Sequence, residues 1–138
     1  MFPDGSNDGA IYPEKARQFL RERNFDMARL WFFKWAESFR QENKLRGGAL
    51  AGELAEAQKE YSEFAKVDPL YLEICGEVLP VVEKSPGIIQ SDLYKRFPKF
   101  EKGQLSYALY FAAAHGKIVR IKKGRSYALS LSPSADQS

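Results

Sequence analysis

Lys122, Lys123 and Arg125 surround Gly124 near the C-terminus. Lysine offers a flexible point charge and arginine a planar fork, so a glycine-turned loop carrying both can neutralise phosphates whatever the sequence of the polyanion. The surrounding charge agrees with that chemistry. Positions 1–68 hold eleven Lys/Arg against twelve Asp/Glu, whereas 69–132 hold ten against five, a local net charge of +5 in a chain of 138 residues whose total is +3. A basic field of this kind favours nucleic acid or acidic lipid headgroups. An ordinary solvated basic surface has the same composition.

Other chemistries are poorly supplied. The single cysteine, Cys75, allows no internal disulfide, and the single histidine, His115, cannot complete a Cys/His metal set, so zinc fingers and disulfide scaffolds are excluded and no metal or cofactor is expected. One His and one Cys also cannot provide a nucleophile, a base and a group to orient it, so the chain is expected to be non-enzymatic. His115 precedes a glycine that ends a helix, where a cationic ring would favour the last carbonyls as a structural cap. Cys75 lies on an apolar stripe and reads as a small core residue. Glu53 and Glu56 read as a solvated helical face. The Gly47–Gly52 cluster follows a helix and lacks the Lys-Ser/Thr ending of a phosphate loop, so it reads as a turn.

These residues need elements to position them, and the length suits one ordinary domain or two small ones. Hydrophobic residues at 44% and charged residues at 28% are enough for a core and too balanced for wholesale disorder. No apolar run approaches the ~20 residues of a membrane span, and the first residues lack signal-peptide character, which gives the expectation of a cytoplasmic protein without membrane contact. Residues 1–12 read as a flexible N-terminus and 133–138 as a flexible tail. Between them, 13–68 reads as an α-helical packing and dimerisation segment: a helix from Pro13 to about Arg23, a corner at 24–26, a helix over about 26–45 and, after the break at Arg46-Gly47-Gly48, a third over about 49–67. The second of these is apolar on more than one face, so Leu30, Trp31, Phe33 and Trp35 are candidates for a homodimer interface. Asp68-Pro69 opens an apolar helix that should be kinked at Pro80 but continuous, ending at Ser85-Pro86-Gly87. A short helix over about 90–96, a corner at 97–100 and a longer helix over about 101–114 follow. Two strands, 117–121 and 126–131, should form a hairpin turned at 122–125.

Two resemblances come from these residues. Ala16 and Phe19 on the first helix, with Ala28 and Phe32 on the second, resemble a tetratricopeptide-type pair, although Trp35 stands where that family has a small residue and no second copy recurs. More extensively, Ser85-Pro86-Gly87-Ile88-Ile89-Gln90-Ser91-Asp92-Leu93 resembles the "pGi-x-q-s-x-L" entry of bacterial winged helix-turn-helix regulators. The stretch Ala114-His115-Gly116-Lys117-Ile118-Val119-Arg120, followed by Gly124-Arg125-Ser126-Tyr127-Ala128-Leu129, is similar to their wing. The resemblance covers about 69–131 and implies a mainly α fold with a small β-hairpin, in which the N-terminal helices precede a winged helix.

In that family the third helix enters the DNA major groove and the wing follows the backbone or minor groove. The resemblance therefore implies Lys99, Lys102 and Gln104 as first-turn contacts, Ser106, Tyr107 and Tyr110 further along, and Lys122, Lys123 and Arg125 at the wing tip, with Gln104 alone offering the paired donor and acceptor suited to adenine. Ile89 departs from the hydroxyl or Asn cap usual at its position. With Leu105, Ala108, Leu109 and Ala112 facing the core, the helix should expose Gly103, Tyr107, Tyr110, Phe111 and Ala114, an aromatic face without arginine. The expectation is a double-stranded-DNA-binding transcriptional regulator of prokaryotic or phage type, nucleoid-associated and dimeric. The alternative is a protein-interaction module that docks a partner on Tyr107, Tyr110 and Phe111.

Overall fold

A computed structural model describes residues 6–133. The first five residues of the expected N-terminal arm and nearly all of the expected tail lie outside the described residues. The chain divides into two compact units after Phe64, four residues before the boundary expected from sequence.

The first unit is built on α1 (Ser6–Arg21), α2 (Phe25–Leu45) and α3 (Ala51–Ala65), the last residue of which belongs to the second unit. The first helix starts well before Pro13, which lies inside it. Four residues earlier stands Gly9, where the backbone can most readily adjust to the ring. The corner after α1 is closed by two backbone bonds, Arg23 N–H to Leu20 O at 3.0 Å and Asn24 N–H to Phe19 O at 2.9 Å, with Arg23 left-handed at φ +60°. Asn24 then begins α2, its Oδ1 accepting the Met27 N–H at 3.3 Å. A core of Ala16, Ala28, Phe32, Trp35, Ala36, Ala57 and Phe64 joins the three helices. The Phe32 ring stacks on Phe64 with centroids 5.0 Å apart. Arg17 reaches across to Glu60, which raises the arginine's pKa through that hydrogen bond, and its guanidinium lies 5.5 Å from the Trp35 ring centre.

The second unit runs α4 (Pro69–Lys84), β1 (Ile88–Ile89), α5 (Gln90–Arg96), α6 (Lys102–Ala114), β2 (Ile118–Lys123) and β3 (Ser126–Leu131). Asp68 caps α4 by accepting the Leu70 N–H at 3.1 Å and is itself wholly buried. The helix continues unbroken through Pro80, with Tyr71, Ile74, Cys75, Val78 and Val82 on its buried side. These meet Leu105, Ala108, Leu109, Phe111 and Ala112 of α6, Leu93 of α5, Ile118 and Leu129 in the core. Burying each large aliphatic or aromatic side chain stabilises the unit by about 1.5–3 kcal/mol.

Three strands form the sheet where two were expected. The pair Ile88–Ile89 is too short to announce itself by alternation, yet it bonds to β3 in the registers Ile88↔Leu129 and Ile89↔Ala128, giving the antiparallel order β1-β3-β2. The hairpin turn is also tighter than expected. Lys122 and Lys123 belong to β2 and face Tyr127 and Ser126, leaving Gly124-Arg125 as a two-residue turn. Gly124 adopts φ +61°, the left-handed conformation a primed turn requires at its first position. At the end of α6, Gly116 at φ +78° allows Gly116 N–H to bond Ala113 O and Lys117 N–H to bond Ala112 O, which turns the chain directly into β2. Among the described residues no helix is long and apolar enough to cross a membrane.

Candidate nucleic-acid interface

Strand alternation decides which basic residues share a face. Because the turn has two residues, Lys122 stands directly across from Tyr127, and Arg120, two positions back, projects to the same side. The Arg120 guanidinium carbon lies 3.9 Å from the Tyr127 ring centre and 6.0 Å from that of Tyr110, and Lys122 Nζ lies 5.1 Å from Tyr127. Arg120 is thus held by two aromatic rings.

This arrangement forms one wall of a concavity of about 430 Å³. From α5 come Gln90, Ser91 and Tyr94, and from α6 come Ser106 and Tyr110. The hairpin closes it with Arg120, the turn residue Arg125, Ser126 and Tyr127. The Ser91 N–H donates to Ser126 Oγ at 3.2 Å, tying the start of α5 to β3. Gln90 is only 4% exposed; its Nε2 donates to the Tyr94 hydroxyl at 2.8 Å, which bonds in turn to Ser106 Oγ at 2.9 Å. Two polar atoms of this lining, Gln90 Oε1 and Arg120 Nε, are shielded from solvent without a hydrogen-bond partner, an arrangement that costs about 1–3 kcal/mol for each group left unmade. None of the nine lining residues is acidic, and among the described residues neither Arg120 nor Arg125 is engaged in an ion pair. The lining thus carries two arginines and no carboxylate.

The residues expected from sequence divide between this site and other duties. Ser106, Tyr110 and Arg125 line the concavity; Lys122 flanks it, and Lys102 does so with Nζ 5.8 Å from the Tyr94 ring. Lys123 is exposed beside the turn. Lys99 is taken up elsewhere: its Nζ donates to Glu77 Oε2 at 2.5 Å and lies 4.0 Å from Glu73, and the Glu77 bond raises its pKa. Gln104 does not present a free amide edge, since its Oε1 accepts the Glu101 N–H at 3.0 Å and so caps α6.

The expected aromatic face is corrected. Phe111 is 4% exposed, stacked on His115 and edge-on to Tyr107, because α6 packs this side against α4. Tyr107 donates its hydroxyl to the buried Asp68 Oδ2 at 2.6 Å and is a structural residue. Tyr110 alone of the three is exposed, at 48%. His115 ends α6 through its backbone, while its Nδ1 bonds the Tyr71 hydroxyl at 2.7 Å in an aromatic cluster. The buried Tyr71 hydroxyl is pushed far above its ordinary pKa by desolvation, and the Cys75 thiol is raised by the same cause.

In the first unit, Leu30 and Phe33 are exposed, at 41% and 50%, as an interface requires. Trp35 is instead 5% exposed inside the chain's own core, and Trp31 is half-buried against Tyr12, with centroids 5.6 Å apart. The stripe assigned to a second copy is thus partly used within the chain.

Sequence reasoning passed over Arg120, Tyr127, Gln90 and Tyr94 as site residues. The signal for the first two was present: a two-residue turn fixes the register, and the register puts Arg120, Lys122 and Tyr127 on one face. Gln90 and Tyr94 depend on the packing of α5 against the sheet, which no local pattern reports. No protein-family model, curated protein or solved structure matches this chain.

Proposed function

We propose that residues 69–132 act as a winged helix-turn-helix that binds double-stranded DNA, in a transcriptional regulator of prokaryotic or phage type. Helix α6 enters the major groove, the β2–β3 hairpin is the wing, and a backbone phosphate seats in the concavity between them. The observation that carries this reading is the acid-free concavity itself, in which Arg120 is oriented by Tyr127 and Tyr110 and joined by Arg125 at the turn. The succession of helix, short helix, corner, helix and basic hairpin follows the layout that the sequence resemblance implies.

With Gln104 occupied at the helix cap and no arginine on α6, the contacts on offer are mainly to phosphate, and binding is expected to discriminate weakly among sequences. A second copy joined through Leu30 and Phe33 would double the contacts. Gel shift of random-sequence duplex DNA at two salt concentrations tests the reading. Retention that weakens steeply with salt, and that Lys122→Ala with Lys123→Ala weakens for all sequences alike, is the expected result; absence of salt-dependent retention refutes it.

A further inference from the structure

We infer that the concavity between α5, α6 and the hairpin is a binding site for a nucleoside phosphate monoester. The inference rests on reading this concavity as the phosphate seat, but requires no duplex. Three features lead to it. First, Arg120 and Arg125 stand without ion pairs among the described residues, over a lining that contains no carboxylate, so the occupant is an anion. The Arg120 guanidinium carbon lies 3.9 Å from the Tyr127 ring centre and 6.0 Å from that of Tyr110, and a guanidinium fork matches phosphate oxygens in a bidentate contact.

Second, three tyrosines, Tyr94, Tyr110 and Tyr127, line the concavity, more aromatic surface than a bare ion engages. Tyr110 is half-exposed at the rim, and a volume of about 430 Å³ is in the range of small-molecule pockets, which gives a planar base a ring to stack upon. Third, the unpartnered pair in the lining asks for a donor at Gln90 Oε1, whose residue is more than nine-tenths buried, and an acceptor at Arg120 Nε. Sugar hydroxyls supply both roles, and the phosphate oxygens supply the acceptor. Metal, thiol or acid chemistry is not invited by these groups.

The same chemistry is offered by a soluble mononucleotide and by the phosphorylated end of a nucleic-acid strand. Calorimetric titration of the full chain with nucleoside 5′-monophosphates, unphosphorylated nucleosides and inorganic phosphate, followed by amide NMR shifts at residues 90, 120 and 126, tests the site. The monophosphate is expected to bind about tenfold or more tightly than either fragment. Arg120→Gln should bring it to the level of the nucleoside, and Tyr110→Ala to the level of inorganic phosphate, with both variants retaining the native NMR spectrum.

An oligonucleotide with and without a 5′-phosphate separates the sources: a matching preference for the phosphorylated strand assigns the site to strand ends, and preference confined to the free monophosphate assigns it to soluble nucleotide. Equal affinity for monophosphate and inorganic phosphate, or no saturable binding, overturns the inference. Duplex retention measured on the same samples keeps the outcomes apart. Nucleotide binding without duplex binding removes only the DNA reading, and duplex binding without nucleotide binding removes only this one.

Discussion

Tyr107→Phe separates a DNA-contacting tyrosine from a structural one. The substitution keeps the ring in contact with Phe111 and Tyr71 but removes the hydroxyl that donates to Asp68 at 2.6 Å, where the carboxylate is wholly buried. A hydrogen bond to a buried charged group is worth about 1.5–3 kcal/mol. At about 2.1 cal/mol/K per residue, two-state unfolding of a chain of 138 residues carries ~0.29 kcal/mol/K, so a loss near 2 kcal/mol lowers Tm by about 7 °C, and roughly twice that if the second unit melts by itself. Circular dichroism melts read the first quantity, and gel shift well below the lowered Tm reads the second. The expected result is a lowered Tm with unchanged DNA retention. An unchanged Tm together with weakened retention refutes the reasoning, because Tyr107 would then face the ligand and not Asp68.

Arg23→Gly should raise stability by about 0.5–1 kcal/mol in chemical denaturation, since Arg23 holds φ +60° at an exposed corner where only glycine is unstrained. Trp35→Ala should cost about 3–5 kcal/mol as a core truncation, whereas Phe33→Ala, half-exposed, should change monomer stability by about 0.5 kcal/mol or less and instead shift any dimer equilibrium seen by sedimentation. Burial raises the pKa of the Cys75 thiol in the folded state, so the neutral form is favoured there: that stability is intact below the ordinary thiol value and is lost as pH rises above it. Iodoacetamide labelling of native protein at pH 8 should accordingly be much slower than labelling in denaturant; equal rates would contradict burial of the thiol.

Periodicity and caps were legible where they were local. The 3.6-residue spacing of Leu105, Ala108, Leu109 and Ala112 identified the buried side of α6, and Asp68-Pro69 marked the start of α4. What escaped were facts set by partners distant in sequence. Tyr107 and Phe111 look like surface aromatics on a helical wheel until α4 and Asp68 cover them. Ile88–Ile89 becomes a strand only because β3 is beside it. Lys99 and Gln104 carry the right functional groups for DNA, but Glu77 and the backbone of Glu101 claim them first. Pro13 was a reasonable first helical residue, yet the helix extends back to Ser6 past Gly9. Of the candidate site, the hairpin charges could be read directly, while Gln90, Tyr94 and the orientation of Arg120 required the sheet register and the packing of α5.

The most direct test of the proposed phosphate grip is the slope of log K against log salt for duplex binding. Five cations, Lys102, Arg120, Lys122, Lys123 and Arg125, lie in or beside the concavity and turn, so counterion release predicts a slope of about −4 to −5 per bound chain. Lys122→Ala, Lys123→Ala and Arg125→Ala combined should reduce it to about −2, while Lys99→Ala leaves it unchanged. A slope near zero, or one reduced by Lys99→Ala and not by the triple variant, would contradict the account.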